Sequence, residues 1–541
     1  DGKTVIQLAD GQMCCAKDIN TQHHLLSTDF TTGKTIVTQP TFRTNPITQT
    51  LYTIETTTSK VSCSYNHPFF IFDNNGDIQE ITAENLTPGM FAAASLIIPE
   101  PENIEYQLLS NVVKTHGNQK EVILPERLEE QLAYLVGYTT GDGGKSGRPN
   151  QKYPDRISWN DCNTEMIEII QVLSSKLFGT ECKIYKNLRE SGNITNYAYI
   201  DSNVLGEWFS KNFGTSIRAG GPNRSIPICI QKSNNSVVSK YISGIYDAEG
   251  WVTGKENTFQ IGWVTTSFVM VQQLSLLLRR FGIYPTLTSG YSESSFTDNM
   301  IYRLHISGHS QQKLFYQLIN FSHPSKRNQL EQHLSIFEPK KESGYSVTNI
   351  PIPIKLVNSI TKEYNITSKN LKELRQVRYQ SKTHTVTMNR NIFNKWLDTF
   401  KSYMPHNDSR LLKLIRLTQY QWDRIKSVSS EEKETEVYDF HIPEFHNYIA
   451  AGLIVHNTAN DITQIPPELI RRFNEVFFVD LPEPEEREAI LRIHLLKRKR
   501  DPKVLKIDIT KVVKCCHRYT GSEIEKAVQE AIARSWRDGK R

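Results

Sequence analysis

One pattern occurs twice in this chain, about a hundred residues apart, and such an internal repeat limits the folds open to it more than any single motif does. The first copy opens on LEEQLAYLVGYTTGDGG at 128–144. It is apolar at helical spacing, carries small residues and ends in Gly-Asp-Gly. The second opens on SKYISGIYDAEGWVTG at 239–254, with Glu249 where the first has Asp142. Each opening is followed by strand-like and helix-like stretches in the same order. KYPDRISW, NTEMIEIIQVLSSKLFG, CKIYKNL, NYAYIDS and VLGEWFSKNFG answer to FQIGWVTTS, FVMVQQLSLLLRRFGI, YPTLTSG, IYRLHIS and SQQKLFYQLINF. The expected unit is αββαββα, read twice. A glycine on a helix face lets another backbone come close. Asp142 and Glu249 would then emerge at the ends of two paired helices.

The pair resembles the LAGLIDADG homing endonucleases. The resemblance implies a pseudo-dimer whose motif helices bring Asp142 and Glu249 into one cleft that binds Mg²⁺ and cleaves double-stranded DNA. The chemistry fits. Two carboxylates at helix C-terminal ends repel each other and face the negative ends of the dipoles. A hard dication relieves both and can activate water for phosphodiester hydrolysis. Arg224-Ser225-Ile226-Pro227 is similar to a family motif in which Lys assists the metal-bound water. An Arg hardly deprotonates, so here it would hold phosphate instead.

At 541 residues, the chain is too long for one core and suggests several domains. No apolar run reaches a membrane span and the polar N-terminus does not read as a signal peptide, so a soluble, cytoplasmic protein without a membrane partner is expected. The eight cysteines include no CxxC pair, which indicates neither a zinc site nor a disulfide framework. Of the net charge of +6, +4 lies after Asn457, so bulk charge does not argue for nucleic-acid binding before it.

A second constraint sits at Val437–Thr458, VYDFHIPEFHNYIAAGLIVHNT. It reads as two strands with turn material between them, ending in His456-Asn457 before a hydroxyl residue. That order supports a reaction. The Asn457 side-chain amide can attack its own backbone carbonyl, close a succinimide and cut the chain after itself. His456 can serve as acid or base, and Thr458 as acyl acceptor. The stretch resembles the C-terminal splicing motifs of inteins, in which Asp439, His446, His456, Asn457 and Thr458 would all be in register.

Residues 1–100 are rich in short strands and hairpin signals such as Asp10-Gly11. They resemble the N-terminal half of the intein splicing fold, an all-β Hint domain. Ser64-Tyr65-Asn66-His67 is similar to its Thr-x-x-His motif, in which the His contacts the upstream scissile amide and the hydroxyl polarises it. The family begins with Cys or Ser, whereas this chain begins Asp1-Gly2-Lys3-Thr4. The resemblance therefore implies that the nucleophile lies upstream of Asp1. Cys14 and Cys15 come too late for that role and read as strand residues. Splicing would need no cofactor.

The expected organisation is a splicing half at 1–100, a connector at 101–125, repeat one and its linker at 126–237, and repeat two at 238–335. A helical segment follows at 336–425, then the second splicing half at 426–457. In the helical segment Lys369, Lys372, Arg375, Arg378 and Lys382 could face DNA phosphates with Tyr379 interleaved, or could be a solvated helix face.

Residues 458–541 resemble the second region of classical AAA ATPases, a partial α/β core with a helical lid. Asn460 matches the sensor residue, and Arg471 and Arg472 stand where the family keeps arginines that reach a neighbouring subunit's γ-phosphate in a homo-oligomer. The GKT at 2–4 and at 33–35 each lack the earlier Gly of a phosphate loop, so ATP would bind only to the complete host protein.

The combined expectation is a multi-domain intein precursor fragment. It pairs splicing by acyl transfer to Thr458 and cyclisation of Asn457 with an endonuclease whose DNA target is the uninterrupted host gene. The alternatives are a DNA endonuclease with dead splicing, or an ATPase subunit with an inert insertion.

Overall fold

The structure is a computed structural model. It describes residues 1–102, 106–109, 121–146, 156–188, 194–214, 221–254, 258–291, 300–336, 346–381, 385–443, 445–457, 482–498, 500, 507–516, 519 and 521–537. Thr458, Asn460, Arg471, Arg472 and Lys382 lie outside them. The chain divides into two compact units, Asp1–Asn460 and Asp461–Arg541.

The first unit opens with ten strands: β1 (Val5–Gln7), β2 (Met13–Cys15), β3 (Leu25–Asp29), β4 (Lys34–Thr38), β5 (Phe42–Thr44), β6 (Ile47–Thr56), β7 (Lys60–Ser64), β8 (Pro68–Phe72), β9 (Ile78–Thr82) and β10 (Phe91–Ala94). The first repeat contributes α1 (Glu130–Asp142), β11 (Gly143–Ser146), β12 (Arg156–Asp161), α2 (Thr164–Phe178), β13 (Lys183–Leu188), β14 (Ile194–Asp201) and α3 (Asn203–Phe213). A short α4 (Ile228–Gln231) leads to the second. This comprises α5 (Asn235–Ala248), β15 (Trp251–Thr253), β16 (Gln260–Thr265), α6 (Phe268–Arg279), β17 (Thr286–Tyr291), β18 (Met300–Ser307) and α7 (His309–Leu318). Then come α8 (Pro324–Ile336), β19 (Ile350–Pro351), α9 (Ile354–Glu363), α10 (Leu374–Gln380), β20 (Thr387–Met388), α11 (Arg390–Tyr403) and α12 (Ser409–Leu417). Four strands close the unit: β21 (Gln421–Glu436), β22 (Asp439–His441), β23 (Asn447–Ala450) and β24 (Leu453–His456).

Among the described residues, ten strands form one sheet in the order β2-β1-β23-β24-β8-β10-β21-β6-β7, with β9 on β8. The last strands are threaded between the first ones. Ile6 pairs with Ala450, Val455 with Phe69 and Ala94 with Leu453. Strand β21, sixteen residues long, pairs with β10 over Gln421–Arg424 and with β6 from Ile425 to Glu436, so β structure resumes at Gln421, within the segment expected to be helical. Each repeat carries a four-stranded antiparallel sheet, β11-β12-β14-β13 and β15-β16-β18-β17. Side-chain N-caps start the intervening helices: Asn163 on α2, Asn234 on α5 and Ser267 on α6 each accept from a backbone N–H three residues on.

The texture boundaries inside this unit are not gaps in packing. The core that holds Trp159, Trp208 and Trp263 of the repeats also takes in Val5, Phe72, Phe393 and Trp422. Leu108, inside the expected connector, and Leu128, just after it, are buried in it as well.

The second unit contributes α13 (Pro484–Lys497), α14 (Ile509–Cys515) and α15 (Gly521–Arg537). They close on Leu491, Leu495, Ile509, Val513, Ile524 and Val528. Glu483 and Glu486 form a capping box on α13.

Candidate active sites

Among the described residues, the chemistry-bearing side chains gather in two places. The first is the end of β24. Strands β23 and β24 are joined by Ala451 and Gly452 alone, both at positive φ (48° and 85°), the twist a two-residue hairpin needs. Their register sets Asn447 opposite His456. Asn447 is fully buried and bonded on both sides. Its Oδ1 accepts from Ser27 Oγ (2.9 Å) and the Thr28 N–H (2.8 Å), while its Nδ2 donates to the Thr28 and Phe445 carbonyls (2.9 and 2.7 Å). It pins the hairpin to β3.

Asn457 follows, buried at 3% exposure. Its backbone N–H donates to the His446 carbonyl at 3.1 Å, and its Nδ2 to the Ile442 carbonyl at 3.4 Å. His446 stands at φ 50°, with its ring 6.2 Å from that of His456. The His456 ring has Phe70 at 5.7 Å on one side, and its Nε2 lies 3.7 Å from Glu80. Its Nδ1 is buried with no hydrogen-bond partner among the described residues, so one ring nitrogen is uncommitted.

His67 comes to the same region from the other end of the chain. Burial drives its imidazole down to about 3, with His456 adding to the effect. It is therefore neutral at ordinary pH. The Asp1 nitrogen donates to the Ser62 carbonyl at 2.7 Å. Ser64 does not turn to His67; its hydroxyl donates to Asn66 Oδ1 at 2.8 Å. Asp439 is buried at the start of β22. It accepts from the Phe440 N–H (2.9 Å) and the Tyr448 hydroxyl (3.4 Å), whose ionisation burial and Asp439 together suppress.

The second place is the crossing of α1 and α5. A Cβ on Gly137 would stand 2.1 Å from the Tyr241 carbonyl oxygen, and one on Gly244 2.2 Å from that of Tyr134. Only glycine permits this backbone-on-backbone contact. Asp142 closes α1 and Glu249 caps α5. Burial raises the Asp142 carboxyl to about 7, with Glu249 and Asp161 adding to it against Lys326 and Arg224. Burial also pushes Glu249 up, while Arg224 pulls it back.

Arg224 ties the two helix ends together. Its Nη1 donates to Glu249 Oε1 at 3.0 Å, and its Nη2 to the Thr140 carbonyl near the end of α1. Glu249 Oε2 is buried and accepts no hydrogen bond of ordinary geometry among the described residues. A carboxylate oxygen with only the Trp263 indole N–H near it among the described residues, beside a carboxyl raised by burial and then by its acidic neighbours, fits a hard dication. Two carboxylates supply part of such an ion's oxygen shell, and water or phosphate the rest.

Several groups here escape sequence reasoning. Lys326 at the start of α8 donates to the Tyr246 carbonyl at 3.1 Å and to that of Asp247. Burial lowers its ammonium against the pull of Asp247, Asp161 and Asp142. Asp247 is fully buried and takes the Tyr134 hydroxyl at 2.7 Å and the backbone N–H groups of Ser322 and His323, which fixes the entry to α8. Asp161 accepts from the Tyr138 hydroxyl at 2.9 Å. Only Asp247 left a trace in the sequence, as the first acid of Tyr-Asp-Ala-Glu-Gly. The others converge through packing.

In the helical segment Lys369, Lys372, Arg375 and Arg378 are exposed. Arg378 spends its guanidinium on α9, donating to Asn358 Oδ1 (2.8 Å) and Thr361 Oγ1 (2.6 Å).

The intein splicing domain family model matches residues 6–457. The chain belongs to the intein splicing-domain family. Among curated relatives, this intein is 25% identical over 372 residues to a glutamine–fructose-6-phosphate aminotransferase (isomerizing) of Methanocaldococcus jannaschii, covering 66% of the chain and 31% of that protein. It is 43% identical over 84 residues to the AAA domain-containing protein ycf46 of Pyropia yezoensis, covering 15% of the chain and 17% of that protein. The chain thus spans a third or less of the length of these relatives. Among solved structures it is similar to the homing endonuclease I-WcaI bound to its DNA recognition sequence. There the TM-score is 0.27 and the identity 16%, covering 38% of the intein chain and 87% of the other. No described helix is long and apolar enough to cross a membrane.

Proposed function

We propose that this intein cuts its own chain after Asn457 and passes the acyl group to Thr458, and that its insert is a DNA endonuclease. In the downstream step Asn457 Nδ2 attacks the Asn457 carbonyl carbon, the 457–458 peptide bond breaks, and the released amine of Thr458 takes up a proton. His456, with a free ring nitrogen one residue away, is the group to deliver it. His67, neutral through burial, would act at the upstream bond. The observation that carries the reading is the burial of Asn457 at the end of a hairpin held between strands from both ends of the match. The test is intact-mass analysis of the chain and its Asn457→Ala variant. The parent should yield a piece ending at Asn457 and a piece of residues 458–541; equal cleavage by the variant would overturn the assignment.

For the endonuclease, Asp142 and Glu249 would hold the metal, Arg224 would hold Glu249 in place, Lys326 would meet phosphate charge, and the exposed Lys369, Lys372 and Arg375 would contact the DNA backbone. A divalent cation bound there would supply Lewis acidity and a nucleophilic water. The favoured target is the host gene without the insert. An insertion also accounts for relatives whose names describe unrelated activities: the aminotransferase and an A-type ATP synthase protein of Pyrococcus abyssi each match most of this chain over about a third of their own length.

Residues 458–541, which resemble ycf46 in the C-terminal part, are proposed as the end of an AAA ATPase host. There Asn460, Arg471 and Arg472 would act only once the ATP-binding part and neighbouring subunits are present.

A further inference from the structure

Arg279, the last residue of α6, is completely buried, although α6 belongs to the second repeat of the insert. Its Nη1 donates to the carbonyl of Gly452 at 2.9 Å, at the turn of the β23–β24 hairpin. Its Nη2 donates to Thr58 Oγ1 (2.5 Å) and Ser59 Oγ (3.1 Å). Ser59 Oγ in turn donates to the Ala451 carbonyl at 2.8 Å. Thr58 Oγ1 donates to Asp423 Oδ2 at 2.6 Å, so a buried carboxylate on β21 balances the guanidinium. The fit is tight: a methyl on Gly452 would stand 2.3 Å from Arg279 Nη1.

Seven residues earlier, two turns along the same helix face, Gln272 meets β1. Its Oε1 accepts from the Val5 N–H at 3.0 Å and its Nε2 donates to the Lys3 carbonyl at 3.3 Å. The Val5 carbonyl then takes the Ala451 N–H at 2.8 Å. Both residues of the hairpin turn are therefore held, directly or through one strand, by a single helix of the insert. A fully buried guanidinium is costly to desolvate, and its hydrogen bonds fix geometry more than they add stability.

We infer that Arg279 is a positioning residue for the downstream cleavage: helix α6 of the insert, through Arg279 and Gln272, sets the hairpin that delivers His456 and Asn457. The inference rests on the reading of Asn457 as the cleavage residue. The insert is thus built into the splicing machinery, and the two have become mechanically dependent.

The experiment follows release of residues 458–541 from the full chain by intact mass, together with the melting temperature of each variant. Arg279→Met should slow cleavage on the order of tenfold, since small misplacements at a reacting centre are expensive. Arg279→Lys, which keeps a donor and the charge, should recover most of that loss. Trp208→Leu, in α3 against Phe178, Phe209 and Phe213, should lower the melting temperature and leave the rate unchanged. If Arg279→Met does not fold, Gln272→Leu decides, because it releases β1 from α6 and leaves Arg279 intact. A parental rate in Arg279→Met or, failing that, in Gln272→Leu overturns the inference. So does slowing by Trp208→Leu and Arg279→Met in proportion to lost stability, or a Lys variant no better than Met. A parent chain that never cleaves at 457–458 refutes the cleavage reading itself.

Discussion

The Cα of Gly137 faces the carbonyl oxygen of Tyr241 so closely that a Cβ added there would stand 2.1 Å away, and Gly244 faces Tyr134 in the same manner from the other helix. The two glycines are counterparts across one crossing, and the helix ends carrying Asp142 and Glu249 lie together because of it. Gly137→Ala must drive α1 and α5 apart, since the obstacle is backbone and cannot rotate away. The cost should be on the order of 3 kcal/mol. Calorimetry on the full chain should show the transition of the larger unit falling by several degrees. An unchanged transition would mean that the helices do not meet at these residues.

His67 makes stability depend on pH. Its folded value is about 3, against an ordinary 6.5, because burial disfavours the charged ring. Between those values the unfolded chain binds a proton that the folded chain does not. The contribution is therefore complete above 6.5 and lost as pH falls toward 3. At pH 5 the loss approaches a ceiling of about 2 kcal/mol, less whatever the partial exposure of the ring returns. His67→Gln should flatten this part of the profile in urea titrations at pH 5 and 7.5. A variant that loses as much stability as the parent between those values would show that another group carries the dependence.

Endonuclease activity should separate the carboxylates from the lysine. With supercoiled plasmid bearing the uninterrupted host sequence and Mg²⁺, Asp142→Asn should abolish cutting while retaining DNA binding by fluorescence anisotropy. Lys326→Met should slow cutting on the order of a hundredfold if it meets the charge of the scissile phosphate. Equal cutting by Asp142→Asn would remove that residue from the role.

Much of this was legible before any coordinates, for identifiable reasons. The apolar spacing of Leu132, Leu135 and Val136 is a helix period, and Gly-Asp-Gly marks where the helix stops, so Asp142 could be put at a helix end. His456-Asn457-Thr458 carries its chemistry in its order. Lys326 was not legible, since one lysine opening an amphipathic helix looks like any other. Its value comes from Asp247 catching the backbone of Ser322 and His323, a contact across more than seventy residues. Arg279 was likewise hidden. Basic residues are common in the last turn of a helix, where they complement its dipole, so nothing in the sequence marks Arg279 and Arg280 as buried, yet both are. Conversely, Arg378 was open to two readings, a phosphate contact or a solvated helix face, and it is occupied by Asn358 and Thr361.

Arg224 offers the sharpest test of how the cleft is held before any ion enters it. It is buried, pairs with Glu249 at 3.0 Å and reaches the Thr140 carbonyl, so it spans the two motif helices. Arg224→Met leaves Glu249 a partly buried carboxylate without its guanidinium. Breaking a fully buried pair from one side costs about 3–5 kcal/mol, and the loss here should be smaller because the Glu249 side chain is 23% exposed. Arg224→Lys keeps the charge but loses the second arm of the fork, and should fall between parent and Met. Glu249→Gln combined with Arg224→Met removes both charges together, so the double variant should be more stable than Arg224→Met alone. The coupling in this cycle, read from urea unfolding, should exceed about 1 kcal/mol. Additive losses would mean that solvent, not Arg224, neutralises Glu249, and that the helix ends are held by the glycine crossing alone.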